Sequence, residues 1–197
     1  MDYDATANVR TRLIGTGKAL FARLGYEGTS TATIAREAAT SESQLVRYFA
    51  SKSGLLEAIF NDAWSGLNQP IQSIVASAEH ERAAIARILR LIIDAFGRDH
   101  ELGFIFLFEG RRIRGHEVAL SKGFLTFYEM IHQLIRQGQA NGSFRKDISA
   151  DVLASALLGC AEGMLRDRMI GERTGKPIEA TDTDIEKAFA AIIDALA

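Results

Sequence analysis

The chain has 197 residues, 47% of them hydrophobic and 24% charged, with a net charge of −2. That composition excludes a disordered chain, and no apolar run approaches the eighteen or so residues that a membrane span needs. The single cysteine, Cys160, excludes an internal disulfide and suits a reducing cytoplasm, while the polar, acidic start MDYDATANVR is unlike a secretory signal.

Two prolines, no Asn-Gly or Asp-Gly between apolar runs, and no period-two clusters of Val, Ile and Thr predict an all-α chain of nine or ten helices. The first, over 8–24, carries Val9, Leu13, Ile14, Leu20, Phe21 and Leu24 on one stripe, and Gly25 follows as its C-cap. A short helix starts behind Thr31 and buries Ile34, Ala35 and Ala38. Ser41 begins the next, and Ser41 with Gln44 has the spacing of a capping box. Ser51 caps a fourth helix bearing Leu55, Leu56, Ile59, Phe60 and Trp64. Pro70 then suits the first turn of a new helix, which places a boundary between a unit over 1–64 and another over 65–197. Beyond it, Ile85, Ile88, Leu89, Ile92 and Phe96 form a clean stripe. Residues 101–112 are apolar nearly all round in their middle, as in a helix through the centre of a bundle. Phe124, Phe127, Tyr128, Ile131 and Ile135 give another stripe, Ser149 caps a helix reaching about Ile170, and a last amphipathic helix carries Ile185, Ala188, Phe189, Ile192, Ile193 and Leu196.

Charge is unevenly spread. Residues 8–54 hold seven basic side chains (Arg10, Arg12, Lys18, Arg23, Arg36, Arg47, Lys52) against Glu27, Glu37 and Glu42, a local +4 on a remainder of −6. A basic quarter on an acidic body is the asymmetry of a small nucleic-acid module, although chance placement of surface charge produces the same pattern. The short helices 31–38 and 41–48, joined by a two- or three-residue turn, are spaced to pack on helix 8–24 as a helix-turn-helix. Ser43, Gln44 and Arg47 then point outward: a hydroxyl, an amide able to pair with adenine, and a guanidinium suited to guanine O6 and N7. Tyr48 and Lys52 lie where a hydroxyl and an ammonium hold phosphates. A helical hairpin with a solvated face is the plain alternative. Gln44 cannot both close the capping box and read a base.

The run ALFARLGYEGTSTATIAREAATSESQLVRYFASKSGLLEAIF resembles the N-terminal domain of the tetracycline-repressor (TetR) family of bacterial transcriptional regulators, over roughly residues 8–60. The ordered pieces are LF-x-x-x-GY, T-x-x-x-IA-x-x-A and S-x-x-x-L-x-x-YF-x-SK-x-x-L. The resemblance implies phosphate contacts at Thr31, Tyr48 and Lys52, and Ser43, Gln44 and Arg47 near base edges. Two positions depart from the family's habit: Ala39-Thr40 replaces Gly and a β-branched residue in the turn, and Val46 stands where Tyr is common. The stretch GQANGSFRKDISADVLASALLGCAEGM is similar to the family's approach to its penultimate long helix, which implies that this helix and the last pair across a two-fold axis. Ala156, Gly159, Cys160 and Gly163 form a strip of small residues for close helix approach, with Phe189, Ile192 and Ile193 on the last helix. The same residues also fit a protomer's own core, and Cys160 by itself reads as a small core residue.

Phe104, Phe108, Phe124, Phe127, Tyr128 and Met164 offer aromatic and thioether lining for a small-molecule cavity between helices, with Glu109 placed to face a cation or amine and Arg111 and Arg112 a carboxylate. Otherwise these aromatics fill the core. His80, His100, His116 and His132 lack metal-ligand spacing and read as surface or pocket-edge residues; no phosphate loop or nucleophile–base arrangement occurs. The expectation is therefore a cytoplasmic homodimer, not an enzyme, without metal or cofactor, that binds a near-palindromic double-stranded operator as a repressor. A small apolar or amphipathic effector releases it, and helix four is the lever. The rival is a helical small-molecule- or partner-binding protein without specific DNA binding.

Overall fold

The computed structural model of the chain describes residues 2–109, 113–114, 117–118, 122–176 and 181–196, with side chains described for 8–109, 122–176, 181 and 183–196. The expectations for Arg111, Arg112 and His116 fall outside these. The fold is all-α, and the described residues form nine helices and one antiparallel ladder of two-residue strands, β1 (Ile113–Arg114) and β2 (Glu117–Val118). Two compact units are distinguished, one of residues 1–65 with 101–123 and one of 66–100 with 124–197.

The first unit is built on α1 (Asp2–Leu24), α2 (Thr31–Glu37), α3 (Glu42–Phe49), the first half of α4 (Lys52–Ser77) and α6 (His100–Phe108). Helices α2, α3 and α4 are each started by a serine whose hydroxyl accepts an otherwise orphan N–H. Ser30 Oγ takes that of Thr33 at 3.1 Å, Ser41 Oγ that of Gln44 at 3.3 Å and Ser51 Oγ that of Gly54 at 3.0 Å. The cap of α2 is thus Ser30, with Thr31 the first helical residue. Leu13, Leu20, Phe21, Ile34, Leu45, Leu55 and Leu56 are buried, so these parts of the stripes face inward as expected, whereas Val9 and Ile14 are half-buried and Leu24, in the last turn of α1, is 49% exposed. Trp64 and Phe60 meet Phe106 of α6 edge-on, with centroids 5.7 and 6.2 Å away. Of α6, Gly103, Ile105 and Phe106 are buried while Phe104, Leu107 and Phe108 are half-buried, so this nine-residue helix is not enclosed on every side.

Pro70 does not open a new helix: α4 runs unbroken from Lys52 to Ser77 with Pro70 inside it. A proline within a helix forfeits one backbone hydrogen bond and crowds the preceding turn. Here the proline is exposed while Trp64 and Ile71 are fully buried, so the apolar stripe continues past it and side-chain burial offsets the lost bond.

The second unit comprises the rest of α4 with α5 (Glu81–Arg98), most of α7 (Lys122–Asn141), α8 (Ala150–Thr174) and α9 (Asp182–Ala195). Ile85, Ile88, Leu89, Ile92 and Phe96 of α5 are buried with Leu153, Leu157 and Leu165 of α8 and Ile185, Phe189 and Ile193 of α9. His80 Nδ1 caps α5 through the Ala83 N–H (3.1 Å). Thr181 and Asp184 close a complete capping box on α9. The α7–α8 turn is fastened from both sides: Asn141 Nδ2 and Ser143 Oγ donate to the Glu81 carboxylate (2.9 and 3.2 Å), and the Arg145 N–H donates to the Leu196 carbonyl (2.9 Å). These bonds hold the Glu81 carboxyl below its usual range, the Asn141 bond contributing most.

Candidate nucleic-acid interface

The turn between α2 and α3 is where the sequence departs from the expected glycine. Ala39 adopts φ 51°, a left-handed conformation that costs a residue with a Cβ about 1–2 kcal/mol. The turn is held nonetheless. Thr40 N–H reaches the Ala35 carbonyl (2.9 Å), and Arg12 of α1 donates to the turn itself, Nε to Ala38 O at 3.1 Å and Nη2 to Ala39 O at 3.5 Å. Asn8 Oδ1 steadies the same guanidinium at 2.9 Å. At the other end of α3, Ala50 is also at positive φ (63°), and Ser51 N–H closes a three-residue turn on the Phe49 carbonyl at 2.7 Å. A Cβ on Gly54 would lie 1.9 Å from that carbonyl oxygen, so only glycine permits the first turn of α4 to approach this closely.

α3 therefore has fixed ends. Ser43 and Arg47 are exposed on it, and Gln44 is half-buried between them in the chain. Ser43 Oγ is 2.8 Å from Ser41 Oγ. Gln44 does not complete the capping box: its N–H reaches Ser41 Oγ, but its own Oε1 is buried with no hydrogen-bond partner. That carbonyl is unsatisfied in the DNA-free chain, a costly state that rotation toward an outside donor would relieve. Arg47 lies over Tyr48, its Cζ 5.1 Å from the ring centroid and Nη2 donating to the phenol at 3.2 Å. Val46 is exposed.

Thr31 donates its hydroxyl to the Glu42 carboxylate in the first turn of α3, so the group assigned to phosphate is engaged inside the protein. Lys52 is engaged too. Its ammonium donates to the carbonyls of Tyr26 and Thr29, both at 2.9 Å, and sits 4.2 Å from the Tyr26 ring centroid. Arg12, Glu42 and this second role of Lys52 were not read from the sequence. Their partners lie 11 to 27 residues away and carry no local signal.

The expected ligand-lining residues divide between the units. In the first, the Phe104 and Phe108 rings are 4.6 Å apart, and Glu109 is buried at 5% exposure, its Oε1 accepting the Tyr26 N–H at 3.3 Å. In the second, Phe124 lies 6.1 Å from both Phe127 and Tyr128, Met164 is half-buried on α8, and Tyr128 stacks at 4.1 Å on His132. His132 is buried, not at a surface or pocket edge as expected, with Nδ1 2.8 Å from the Tyr128 carbonyl and Nε2 3.5 Å from Asp151. Two cavities occur elsewhere in this unit, between α5 and α9. One of about 210 Å³ is lined by Arg87, Arg90, Ile93, Ile185 and Phe189, and one of about 440 Å³ by Arg82, Ala83, Ser143, Ala190 and Ile193.

Of the strip on α8, Ala156, Gly159 and Cys160 are exposed and Gly163 is half-buried. Cys160 is thus not a core residue, because the face it occupies turns outward between exposed Val152 (58%) and Ile170 (43%). Phe189 and Ile193 are buried within the protomer and Ile192 is half-buried. Among the described residues no group of His, Cys, Asp or Glu could hold a metal ion, and no helix is long and apolar enough to cross a membrane.

The family model described as bacterial regulatory proteins, tetR family, matches residues 13–59, which span this helix-turn-helix. The HTH-type transcriptional regulator UidR of Escherichia coli K12 is 27% identical over 185 residues, covering 92% of this chain and 87% of its own. In fold, the chain is similar to the fatty acid degradation regulator FadR of Bacillus halodurans, with TM-score 0.80, 16% identity and 94% of each chain covered. It is also similar to the regulator FadR of Bacillus subtilis in complex with stearoyl-CoA, with TM-score 0.79, 12% identity and 95% and 98% covered.

Proposed function

We propose that the chain is a member of the tetR family of bacterial regulatory proteins, whose model matches residues 13–59, and that it is a cytoplasmic, homodimeric repressor that binds a near-palindromic operator and is released by a small apolar or amphipathic molecule. The observation that carries this reading is the mounting of α3: Arg12 of α1 holds the turn before it, the first turn of α4 lies close against the Phe49 carbonyl at its end, and its outward face carries Ser43, Gln44 and Arg47. In the major groove, the Gln44 amide would find the partner that its Oε1 lacks, and Arg47 would leave the Tyr48 ring for a guanine edge. Thr31, Tyr48 and the remaining N–H of Lys52 would meet phosphate oxygens, which requires the Thr31–Glu42 bond to open.

Dimerisation through α8 would cover its exposed small-residue face, with the half-buried Ile192 of α9 at its margin. Two protomers would then set their recognition helices about 34–36 Å apart, one turn of duplex. Phe124, Phe127 and Tyr128, whose rings pack together, would have to part beside Met164 to admit a small apolar or amphipathic effector; FadR of Bacillus subtilis, similar in fold, is one regulator with such a ligand, stearoyl-CoA. The effector would need only about 1–3 kcal/mol of differential affinity between the two states, transmitted along α4, to matter.

Selection of bound sequences from a random DNA pool tests the reading. Recovery of one palindromic motif supports it, provided that Arg47→Ala loses the base preference while keeping its non-specific affinity. A folded dimer that recovers no motif overturns it in favour of a helical binding protein without specific DNA recognition.

A further inference from the structure

Glu109 is a buried carboxylate at the C-terminal end of α6, where the helix dipole disfavours negative charge, so its position calls for compensation. Part of it is the Tyr26 N–H, 83 residues away in sequence. Gly25, just before Tyr26, occupies φ 75°, a conformation that favours glycine, and a Cβ there would stand at ordinary contact distance from the Glu109 carboxylate. The other side of the same residue holds Lys52: the Tyr26 carbonyl accepts from its Nζ, the Tyr26 ring lies beneath the ammonium, and the Thr29 carbonyl completes the clamp. An ammonium has three donors, so two are fixed by this turn and the direction of the third follows from them.

We propose that Glu109 is a positioning residue for DNA binding: by holding the Tyr26 N–H it fixes the turn whose carbonyls aim the remaining Lys52 N–H at an operator phosphate. The link ties the end of α6 to the phosphate-contacting face. It rests on the reading of Lys52 as a phosphate contact given above. The role differs from a plain charge effect in sign. Removing a carboxylate near a DNA-binding face reduces repulsion and strengthens binding, whereas removing a positioning acceptor weakens it.

The test is a double-mutant cycle on the full-length protein with its selected operator, read as the dependence of affinity on salt. Glu109→Met keeps length and removes the acceptor; Glu109→Gln keeps an accepting oxygen; Lys52→Gln removes the ammonium. Glu109→Met is expected to weaken operator binding about tenfold. It should also lower the salt slope by about 0.9 for each phosphate no longer neutralised, hence by nearly two in a symmetric dimer. Glu109→Gln is expected to bind as the parent does. In a Lys52→Gln background, Glu109→Met should weaken binding no further. If Glu109→Met does not fold, judged by thermal unfolding, Glu109→Ala carries the same cycle. Unchanged or tighter binding by the acceptor-less variant, or equal weakening with and without Lys52, overturns the inference while leaving the regulator reading intact. Failure of the parent protein to select any motif sinks that reading and takes this inference with it.

Discussion

Both units carry exposed ion pairs, Lys18 with Glu101 and Arg23 with Glu37 in the first, but two cations of the first unit are used differently. In the first, Arg12 and Lys52 end on backbone carbonyls: those of Ala38 and Ala39 in one case, of Tyr26 and Thr29 in the other. In the second, arginines end on other side chains at the surface, as in Arg82 with Asp194, Arg90 with Glu186, Arg136 with Glu129 at 2.5 Å and Arg145 with Asp147 at 2.6 Å. A cation on a carbonyl fixes main-chain geometry, whereas an exposed ion pair joins two flexible stems and contributes about 0–1 kcal/mol. The recognition helix needs fixed ends, and the helix bundle, with its continuous apolar stripes, does not depend on surface charge for its packing.

That contrast sets an order of expected effects. Lys52→Met should be the largest, a loss of about 2–3 kcal/mol in denaturant unfolding, because two charge-assisted bonds and a ring contact vanish together. Arg12→Ala follows at about 1–2 kcal/mol, with a proportionally larger fall in operator affinity measured on the selected sequence, since the turn before α3 is what it holds. Thr181→Ala removes a capping box and should cost about 1 kcal/mol. Ala39→Gly should go the other way, stabilising by about 0.5–1 kcal/mol once the penalty at φ 51° is relieved and glycine's greater chain entropy is subtracted. Arg90→Ala should shift unfolding by no more than about 0.5 kcal/mol, and less at high salt. An Arg90 effect as large as that of Arg12 would erase the distinction between the units.

Acid titration sharpens the same comparison. Hydrogen bonds lower the carboxyls of Glu81 (chiefly from Asn141), Asp147 (chiefly from Arg145) and Asp184 (chiefly from Thr181), all in the second unit. A lowered folded-state value means stability that is fully present above the ordinary 3.8–4.5 and lost as pH falls through the folded values. Unfolding midpoints should therefore drop below about pH 4, and Asn141→Ala should remove the largest part of the Glu81 share of that drop.

Much of the architecture was legible because helices announce themselves locally. Ser41 and Ser51 cap where the sequence placed them, and the α5 stripe from Ile85 to Phe96 is buried throughout. Pro70 misled because a local breaker was weighed without the burial of Trp64 and Ile71 on either side. Cys160 misled because periodicity marks a face without saying what covers it. Arg12 and Glu109 could not have been placed, as their partners are set by tertiary packing across 26 and 83 residues. The outward set Ser43, Gln44 and Arg47 was readable only as chemistry. Its geometry, with Gln44 Oε1 buried and Arg47 folded on Tyr48, belongs to side-chain packing.

The anchoring of α3 from outside itself has an evolutionary consequence. Arg12 of α1 holds the turn before it and the Cβ-less Gly54 lets the first turn of α4 lie close against its last carbonyl, while Ser43 and Arg47 face solvent and support nothing in the scaffold by their side chains beyond the local Ser41 and Tyr48 contacts. Mutations at those outward positions can therefore accumulate with little toll on foldedness, which leaves a lineage free to exchange one target sequence for another while inheriting the same frame.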